Sequence, residues 1–170
     1  MSVPRAGHAA PPAMTFDQFF DSDFAKRTTV GELAEMLRAV DGEPGRVPVR
    51  YSDLDGAALA WAVAIAEGRA PILHPPTYGL PWRVVVEEAG RLFAWRPHVD
   101  WAQGGPLLDA WAVGFGVTQE PGRRHFRAFA YSKPPFQRLA GGPTLLIAAC
   151  RARVRAVLGE WVGVPAELVA

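Results

Sequence analysis

The sequence predicts an α+β domain in which a small antiparallel sheet carries helices packed on one face. Three observations predict this class. Segments with helical spacing of apolar residues and segments with alternating apolar residues do not follow one another regularly along the chain. Stretches rich in glycine and proline separate them and indicate turns. Of the 170 residues, 49% are hydrophobic and 21% are charged, as expected for a domain that buries its own core.

The chain is expected to divide into three parts. Residues 1–13 contain three prolines and several alanines and predict a disordered tail. Residues 14–46 predict an N-terminal helical extension, and residues 47–170 predict the α+β domain.

Two helices are predicted in the extension. Four phenylalanines at helical spacing predict the first helix, over Met14–Arg27. The second helix is predicted over Val30–Val40. Thr29 precedes it and Glu32 follows three residues later, which is the spacing of a capping box.

The first half of the domain is predicted to start with a strand over Val47–Tyr51. A helix follows, from a capping segment at Ser52–Asp55 to Glu67. Residues 69–82 contain four prolines and predict a loop with one extended piece. Two alternating segments then flank Ala89-Gly90 and predict a β-hairpin, Trp82–Glu88 with Arg91–Trp95.

The second half is expected to contain one strand and one long helix. The alternation of His125–Tyr131 predicts the strand, and the apolar stripe of Pro143–Leu158 predicts the helix. Leu107–Val117 fits either a strand or a short helix, and Lys133–Gly142 predicts a loop. We expect the long helix to pack on a sheet that contains both Trp82–Glu88 and the predicted strand.

Asp100–Pro106, Asp-Trp-Ala-Gln-Gly-Gly-Pro, is predicted to be an ordered turn, because its glycines and proline disfavour a regular helix or strand. We expect Trp101 to anchor this turn in the core. The carboxylate and the carboxamide in the turn offer acceptors and donors to a polar ligand, although the carboxylate also fits an Asx-turn. The candidate ligand-binding residues are Asp100, Trp101, Gln103, Gly104, Gly105 and, at the start of the last long helix, Thr144.

Basic residues are concentrated in one segment, although the net charge of the whole chain is only +1. Between residues 121 and 159 there are eight basic and no acidic side chains, with aromatic residues among them. Such a pattern is typical of surfaces that bind single-stranded nucleic acid, but the arginines also fit pairing with acidic residues elsewhere or a solvated face. The candidate basic patch is Arg123, Arg124, Arg127, Arg151, Arg153 and Arg155.

Several other chemistries find little support in the sequence. Cys150 is the only cysteine and lies on an apolar helix face, so it is expected to act as a small hydrophobic residue. The four histidines are scattered, and His98 is expected at the surface or at a cap. We therefore expect no metal and no cofactor, and no apolar run is long enough to span a membrane.

Three blocks of sequence resemble the NinX-like family of phage and prophage accessory proteins. They are Ser52-Asp-Leu-Asp-Gly-Ala-Ala-Leu, the Asp100–Pro106 heptapeptide, and Pro143-Thr-Leu-Leu-Ile-Ala-Ala-Cys-Arg with the later Val164-Pro-Ala-Glu-Leu. The resemblance covers about residues 47–170. It implies a phage-derived protein of the host cytoplasm and carries no established activity, so it assigns no catalytic residue.

The sequence thus predicts a phage-type accessory protein that acts by binding a host protein or a small polar ligand rather than by catalysis. One alternative is an enzyme for a small polar substrate near Asp100 and Gln103, which requires a buried carboxylate beside a second titratable group. The other is a nucleic-acid-binding protein that uses residues 121–159. The oligomeric state and the role of the extension stay open.

Overall fold

The computed structural model describes residues 29–40, 45–120, 122–132 and 136–169. The predicted tail and the predicted helix over Met14–Arg27 lie outside the described residues. Within them, helices and antiparallel strands confirm the α+β class. The helices are α1 Val30–Val40, α2 Gly56–Ala66, α3 Trp101–Trp111 and α4 Leu145–Leu158. The strands are β1 Arg46–Arg50, β2 Ile72–His74, β3 Arg83–Glu88, β4 Arg91–Ala94, β5 Ala112–Glu120, β6 Arg123–Ser132, β7 Phe136–Gly142 and β8 Trp161–Pro165.

The described strands form three small antiparallel sheets rather than a single one. The sheets have the orders β1-β8, β2-β3-β4 and β5-β6-β7. The expectation that α4 packs on one sheet containing both β3 and β6 is therefore wrong: α4 packs on β6 and β7, whereas β3 packs on α2. Alternating hydrophobicity shows which side chains of a strand face a core, but it does not show which strands pair.

Helix α2 lies at the centre of the fold. Its side chains are buried on every side, from Ala58 to Ala64, because it is apolar around its whole circumference. It contacts α4, and both helices share a core with the apolar residues of β3 and β8. The three sheets thus surround a pair of central helices.

A second core cluster joins α4 to the β5-β6-β7 sheet and consists of alanines. Ala128, Ala130 and Ala140 of the sheet meet Ala148, Ala149 and Ala152 of the helix, and all six are buried. Small side chains on both partners allow the helix axis to approach the sheet closely. This packing covers one face of the sheet, which we call the inner face, and leaves the opposite outer face uncovered by α4.

Local signals predicted several element boundaries correctly. Thr29 and Glu32 form the capping box: the Glu32 amide donates to Thr29 Oγ1 at 3.2 Å, and the Thr29 amide donates to a Glu32 carboxylate oxygen at 3.1 Å. The bonds that the carboxylate accepts from the amide and the hydroxyl of Thr29 hold the pKa of Glu32 below its usual value. At α2 the N-cap is Asp55, which accepts from the Gly56 amide at 2.8 Å, so the helix starts later than predicted from Ser52.

Two strands were not predicted. Strand β7 replaces most of the predicted loop over 133–142, and β8 pairs with β1. Both contain glycines, which weaken a strand signal but here permit close contacts. A Cβ at Gly163 of β8 would overlap the carbonyl oxygen of Ala39 at the end of α1. Helix α1 therefore packs directly on the β1-β8 sheet, with Met36 buried beneath it.

Candidate functional site

The heptapeptide Asp100–Pro106 is the start of a helix, so the predicted turn is wrong. Asp100 is the N-cap of α3 and accepts the amide of Ala102 at 2.9 Å. Gly104 is buried against Pro97 and Leu146. The contact is so close that a Cβ at this position would overlap the carbonyl oxygen of Pro97 and press on Leu146. The glycine therefore allows the helix to approach its neighbours and does not provide a positive φ, while Pro106 lies inside the helix.

Gln103 joins the start of α3 to the end of β4. Its carboxamide nitrogen donates to the Ala94 carbonyl at 2.8 Å, and its oxygen accepts the Arg96 amide at 2.6 Å. Thr144 is likewise the N-cap of α4 and accepts the Ile147 amide at 3.2 Å. The polar groups of the predicted ligand set are therefore engaged within the fold, and ligand binding by this set stays a prediction.

Trp101 is 58% exposed, so the expectation that it lies in the core is wrong. It is the first residue of α3 and stands on the solvent side of that helix, where it contacts Gly105. The anchor for this region is instead the buried segment at Pro97 and His98, which packs against the other side of α3.

The basic segment is divided by the fold into two groups. Arg151 and Arg155 of α4 donate to the carbonyl oxygens of Gly141 and Leu139 on β7, at 3.1 and 2.7 Å. Strand β7 lies at the edge of its sheet, and these bonds occupy acceptors that an edge strand otherwise presents to other chains. The two side chains are half-buried and hold the helix to the sheet.

Arg153 also belongs to the fold. It forms an ion pair with Glu67 of α2 at 2.8 Å, with both side chains largely shielded from solvent, and its guanidinium lies over the ring of Trp111. Arg151, Arg153 and Arg155 are therefore only partly exposed and bond within the fold, so of the readings left open by the sequence the solvated face is wrong for these three. The arginines of the basic segment looked unpaired in the sequence because an acidic partner such as Glu67 is distant along the chain.

Arg124 and Arg127 of β6 are exposed. Arg124 lies over the ring of Phe126 on the inner side of the sheet, whereas Arg127 lies on the outer face. The backbone of Arg123 belongs to β6, but its side chain lies outside the described part of the chain. Of the predicted patch, the two described β6 arginines thus face solvent.

The outer face of the β5-β6-β7 sheet carries a row of exposed side chains on its central strand. Because alternate residues of a strand point to opposite faces, and Ala128 and Ala130 face α4, the residues between and beside them face outwards. Phe129 is 36% exposed and Tyr131 50% exposed. The row consists of His125, Arg127, Phe129 and Tyr131.

Glycines flank this row on both neighbouring strands. Gly114 and Gly116 of β5 pair with Phe129 and Arg127, and a Cβ at either glycine would meet open space. On the other side, the ring of His125 occupies the space above Gly141 of β7. On the β5 side, no side chains stand beside Arg127 and Phe129. The guanidinium and the aromatic faces of the row are therefore accessible from that side.

A groove of about 500 Å³ lies on a different side of the molecule. It is formed by α1, β7, the end of α4 and the start of β8, and three arginines and two glutamates line it. Sequence reasoning missed this groove, because Glu35 and Arg38 are separated in the sequence by a hundred residues or more from Arg138, Arg155 and Glu160.

His98 and Cys150 are buried side chains that could in principle react. His98 is only 7% exposed, so it does not lie at the surface, which was one of its two expected positions. Burial lowers its pKa, the Asp55 carboxylate opposes that shift, and Arg96 adds to it. Burial raises the pKa of the Cys150 thiol to about 12, helped by the charge of Glu67, so the thiol stays neutral. Among the residues that the structure describes, no three His, Cys, Asp or Glu side chains cluster as a metal site requires.

These features define a small α+β protein in which the outer face of the β5-β6-β7 sheet carries exposed side chains. Its sequence matches the family described as bacteriophage P22 NinX over residues 50–156, from the end of β1 to the last turns of α4. Because the match covers more than half of the chain, the chain belongs to this family and is a phage accessory protein. A comparison with curated proteins found no match. Along the described segments, the helices are too short or too polar to cross a membrane.

Proposed function

We propose that this phage accessory protein binds single-stranded nucleic acid through the outer face of the β5-β6-β7 sheet, in the host cytoplasm. The observation that carries the proposal is the row of Arg127, Phe129 and Tyr131, exposed on the central strand of a sheet whose inner face is packed on α4. A sheet held on one side by a helix keeps such side chains at fixed spacing.

The spacing of the row suits stacking on successive bases. Phe129 and Tyr131 are two residues apart on one strand and so lie about 6.8 Å from each other along it. Base stacking on an aromatic side chain contributes roughly 1–3 kcal/mol per base and tolerates any base, since each has a π-face. Sheets that recognise RNA also present aromatic residues on which bases stack.

Arg127 and the flanking glycines support the same function. The Arg127 guanidinium offers five donors and a flat face, so it suits either a phosphate or a base. Gly114 and Gly116 lack the side chains that would otherwise screen Phe129 and Arg127, so a flat base has room beside the row. A double helix hides its base faces, and the outer face therefore favours a single strand.

The enzyme alternative has less support in the geometry. It requires a buried carboxylate beside a second titratable group, whereas Asp100 is half-buried and serves as the N-cap of α3. The exposed β6 row requires no chemistry beyond binding.

The experiment is a titration of a fluorescent thymidine oligonucleotide, single-stranded and as a duplex, followed by anisotropy at low salt. We expect the wild type to prefer the single strand, and the double substitution Phe129→Ala with Tyr131→Ala to weaken binding at least tenfold. Leu92→Ala, an exposed apolar residue of the β2-β3-β4 sheet, is the matched control and should leave affinity unchanged. Absence of binding by the wild type would reject the proposal.

A second candidate function is contact with a host protein, favoured by exposed apolar residues on the inner side of the same hairpin. Phe115 and Val117 of β5 are exposed there, and Val117 pairs with Phe126. Phe115→Ser should then abolish capture of the host protein without changing oligonucleotide affinity. Capture that is unaffected by this substitution would exclude the contact.

A further inference from the structure

The groove between α1, β7, the end of α4 and the start of β8 has no role in the sheet surface described above. Arg138 of β7 pairs with Ala130, so its side chain belongs to the inner side of the sheet, opposite the β6 row. The groove therefore lies on the other side of β7 from the outer face. Its charged and aromatic lining comprises Glu35, Arg38, Arg138, Arg155, Glu160 and Trp161.

One of the three arginines is fixed by internal contacts. Arg155 bonds to the carboxylate of Glu160 at 2.7 Å and to the Leu139 carbonyl at 2.7 Å, and it lies over the ring of Tyr51 at 4.7 Å. These contacts fix the position of its guanidinium in the lining of the groove. Its positive charge is paired with the carboxylate of Glu160.

The other two arginines keep their charge available. Arg38 is in the last turn of α1 and Arg138 is on β7, so they approach the groove from two different elements. Both are exposed, and neither forms an ion pair with a carboxylate among the described residues. Two guanidinium groups from separate elements thus border a concave space of about 500 Å³, a volume typical of small-molecule sites.

We propose that this groove binds a small molecule that carries an oxyanion, phosphate or carboxylate, between Arg38 and Arg138. A guanidinium matches the paired oxygens of either anion with two parallel hydrogen bonds. The carboxylate of Glu35 lies in the same groove and accepts hydrogen bonds, so the ligand also carries a hydroxyl or amino donor beside its oxyanion.

Size and lining narrow the ligand further. Leu158 and the ring of Trp161 supply apolar surface to the lining of the groove. The guanidinium of Arg50 lies over the indole of Trp161, 5.6 Å from the ring centroid. A groove of this volume accommodates a compact polar molecule such as a sugar phosphate, a nucleoside monophosphate or an amino acid. It is too small for a folded partner.

The test is isothermal titration calorimetry at constant ionic strength with four probes: inorganic phosphate, adenosine monophosphate, adenosine and glutamate. We expect wild type to bind at least one oxyanion probe and not adenosine. Binding of phosphate and adenosine monophosphate would assign the phosphate class, and binding of glutamate alone would assign the carboxylate class. No heat from any oxyanion probe overturns the proposal.

Substitutions locate the binding. Arg38→Gln and Arg138→Gln should each lower the affinity for the bound probe at least tenfold. Arg91 is an exposed arginine at the β3-β4 turn, and Arg91→Gln should leave the affinity for the probe unchanged. Arg38 and Arg138 are exposed, so both variants should fold, and circular dichroism checks this. Affinity that survives in both arginine variants also overturns the proposal. Phe129→Ala with Tyr131→Ala separates this site from the sheet surface, because it should not change probe binding.

Discussion

Two regions of this protein carry polar and aromatic residues in close succession, and the fold uses them in opposite ways. Around Asp100 and Gln103, the polar side chains bond to backbone groups of the protein itself. Along β6, Arg127, Phe129 and Tyr131 face solvent on the outer face of a sheet. A side chain that satisfies the fold has few groups left for a ligand, so the second region is the better candidate.

The difference has a physical origin in what each segment must satisfy. The start of α3 leaves backbone amides without partners, and the segment between β4 and α3 must turn under the helix. Asp100 and Gln103 meet these needs. Strand β6 is paired on both sides by backbone hydrogen bonds, so its outward side chains are not needed for the backbone.

The largest effect is expected at Gly104. Gly104→Ala places a Cβ against the carbonyl oxygen of Pro97 and against Leu146, so the helix must move away from its neighbours. We expect a loss of about 3 kcal/mol in the free energy of unfolding, measured in urea, as for other strained overpacking.

Gly105→Ala is the matched control for that substitution. Its Cβ would meet only Trp101, at an ordinary 3.7 Å, and alanine favours a helix over glycine. The control should therefore gain up to about 1 kcal/mol. Equal effects at the two glycines would show that α3 does not pack as described.

Gln103→Ala should have the next largest effect. It removes both bonds that tie α3 to Ala94 and Arg96, and we expect a loss of about 1–2 kcal/mol in urea denaturation. Gln137→Ala, an exposed glutamine on β7, should change stability by less than about 0.5 kcal/mol. If Gln103→Ala instead kept full stability and lost a biological activity, the heptapeptide would be the functional site after all.

His98 should make stability depend on pH. Its pKa in the fold is lowered chiefly by burial, so at pH values just below the ordinary 6.5 the unfolded chain binds a proton that the folded chain does not. The contribution of neutral His98 to stability is therefore fully present above pH 6.5. It is lost as the pH drops from 6.5 towards the pKa of His98 in the folded state.

The check is urea denaturation between pH 7.5 and pH 5, at about the pH values where histidine titrates. His98→Gln should lose less stability over this range than the wild type, because it removes the shifted group. Parallel losses in the two proteins would mean that His98 is protonated equally in the folded and unfolded states.

The smallest expected effect concerns Cys150. A thiol reagent requires the thiolate, and the pKa of Cys150 is raised to about 12 by burial. We expect no modification of the native protein at neutral pH over the time in which the urea-unfolded chain reacts completely. Rapid native labelling would indicate that the core around α4 opens readily.

Local signals in the sequence predicted much of the fold. The capping box at Thr29 and the apolar stripe of α4 depend on residues within one or two helical turns, so both helices were found. Strands β7 and β8 depend on partners distant in sequence, and their glycines lowered the strand signal. The heptapeptide was wrongly predicted to be a turn because glycine and proline usually favour turns. Gly104 instead allows close packing within a helix.

The candidate surfaces were predictable only in part. The alternation of arginine and aromatic residues on β6 was visible, but the sequence did not show which face α4 covers. Arg151, Arg153 and Arg155 seemed equally available because Glu67 and the β7 carbonyls approach them only in the folded chain. The groove at Arg38 and Arg138 required the packing of α1 on the β1-β8 sheet.

The most direct test of the central claim is ultraviolet crosslinking of a thymidine oligonucleotide to the full chain, followed by mass spectrometry of the linked peptides. Two exposed aromatic residues outside the β6 row, Trp101 and Tyr78, serve as internal references. Binding on the outer face predicts crosslinks at Phe129 and Tyr131 that disappear when an unlabelled oligonucleotide competes. Crosslinks concentrated at Trp101, with none on β6, would contradict the claim and return the site to the heptapeptide.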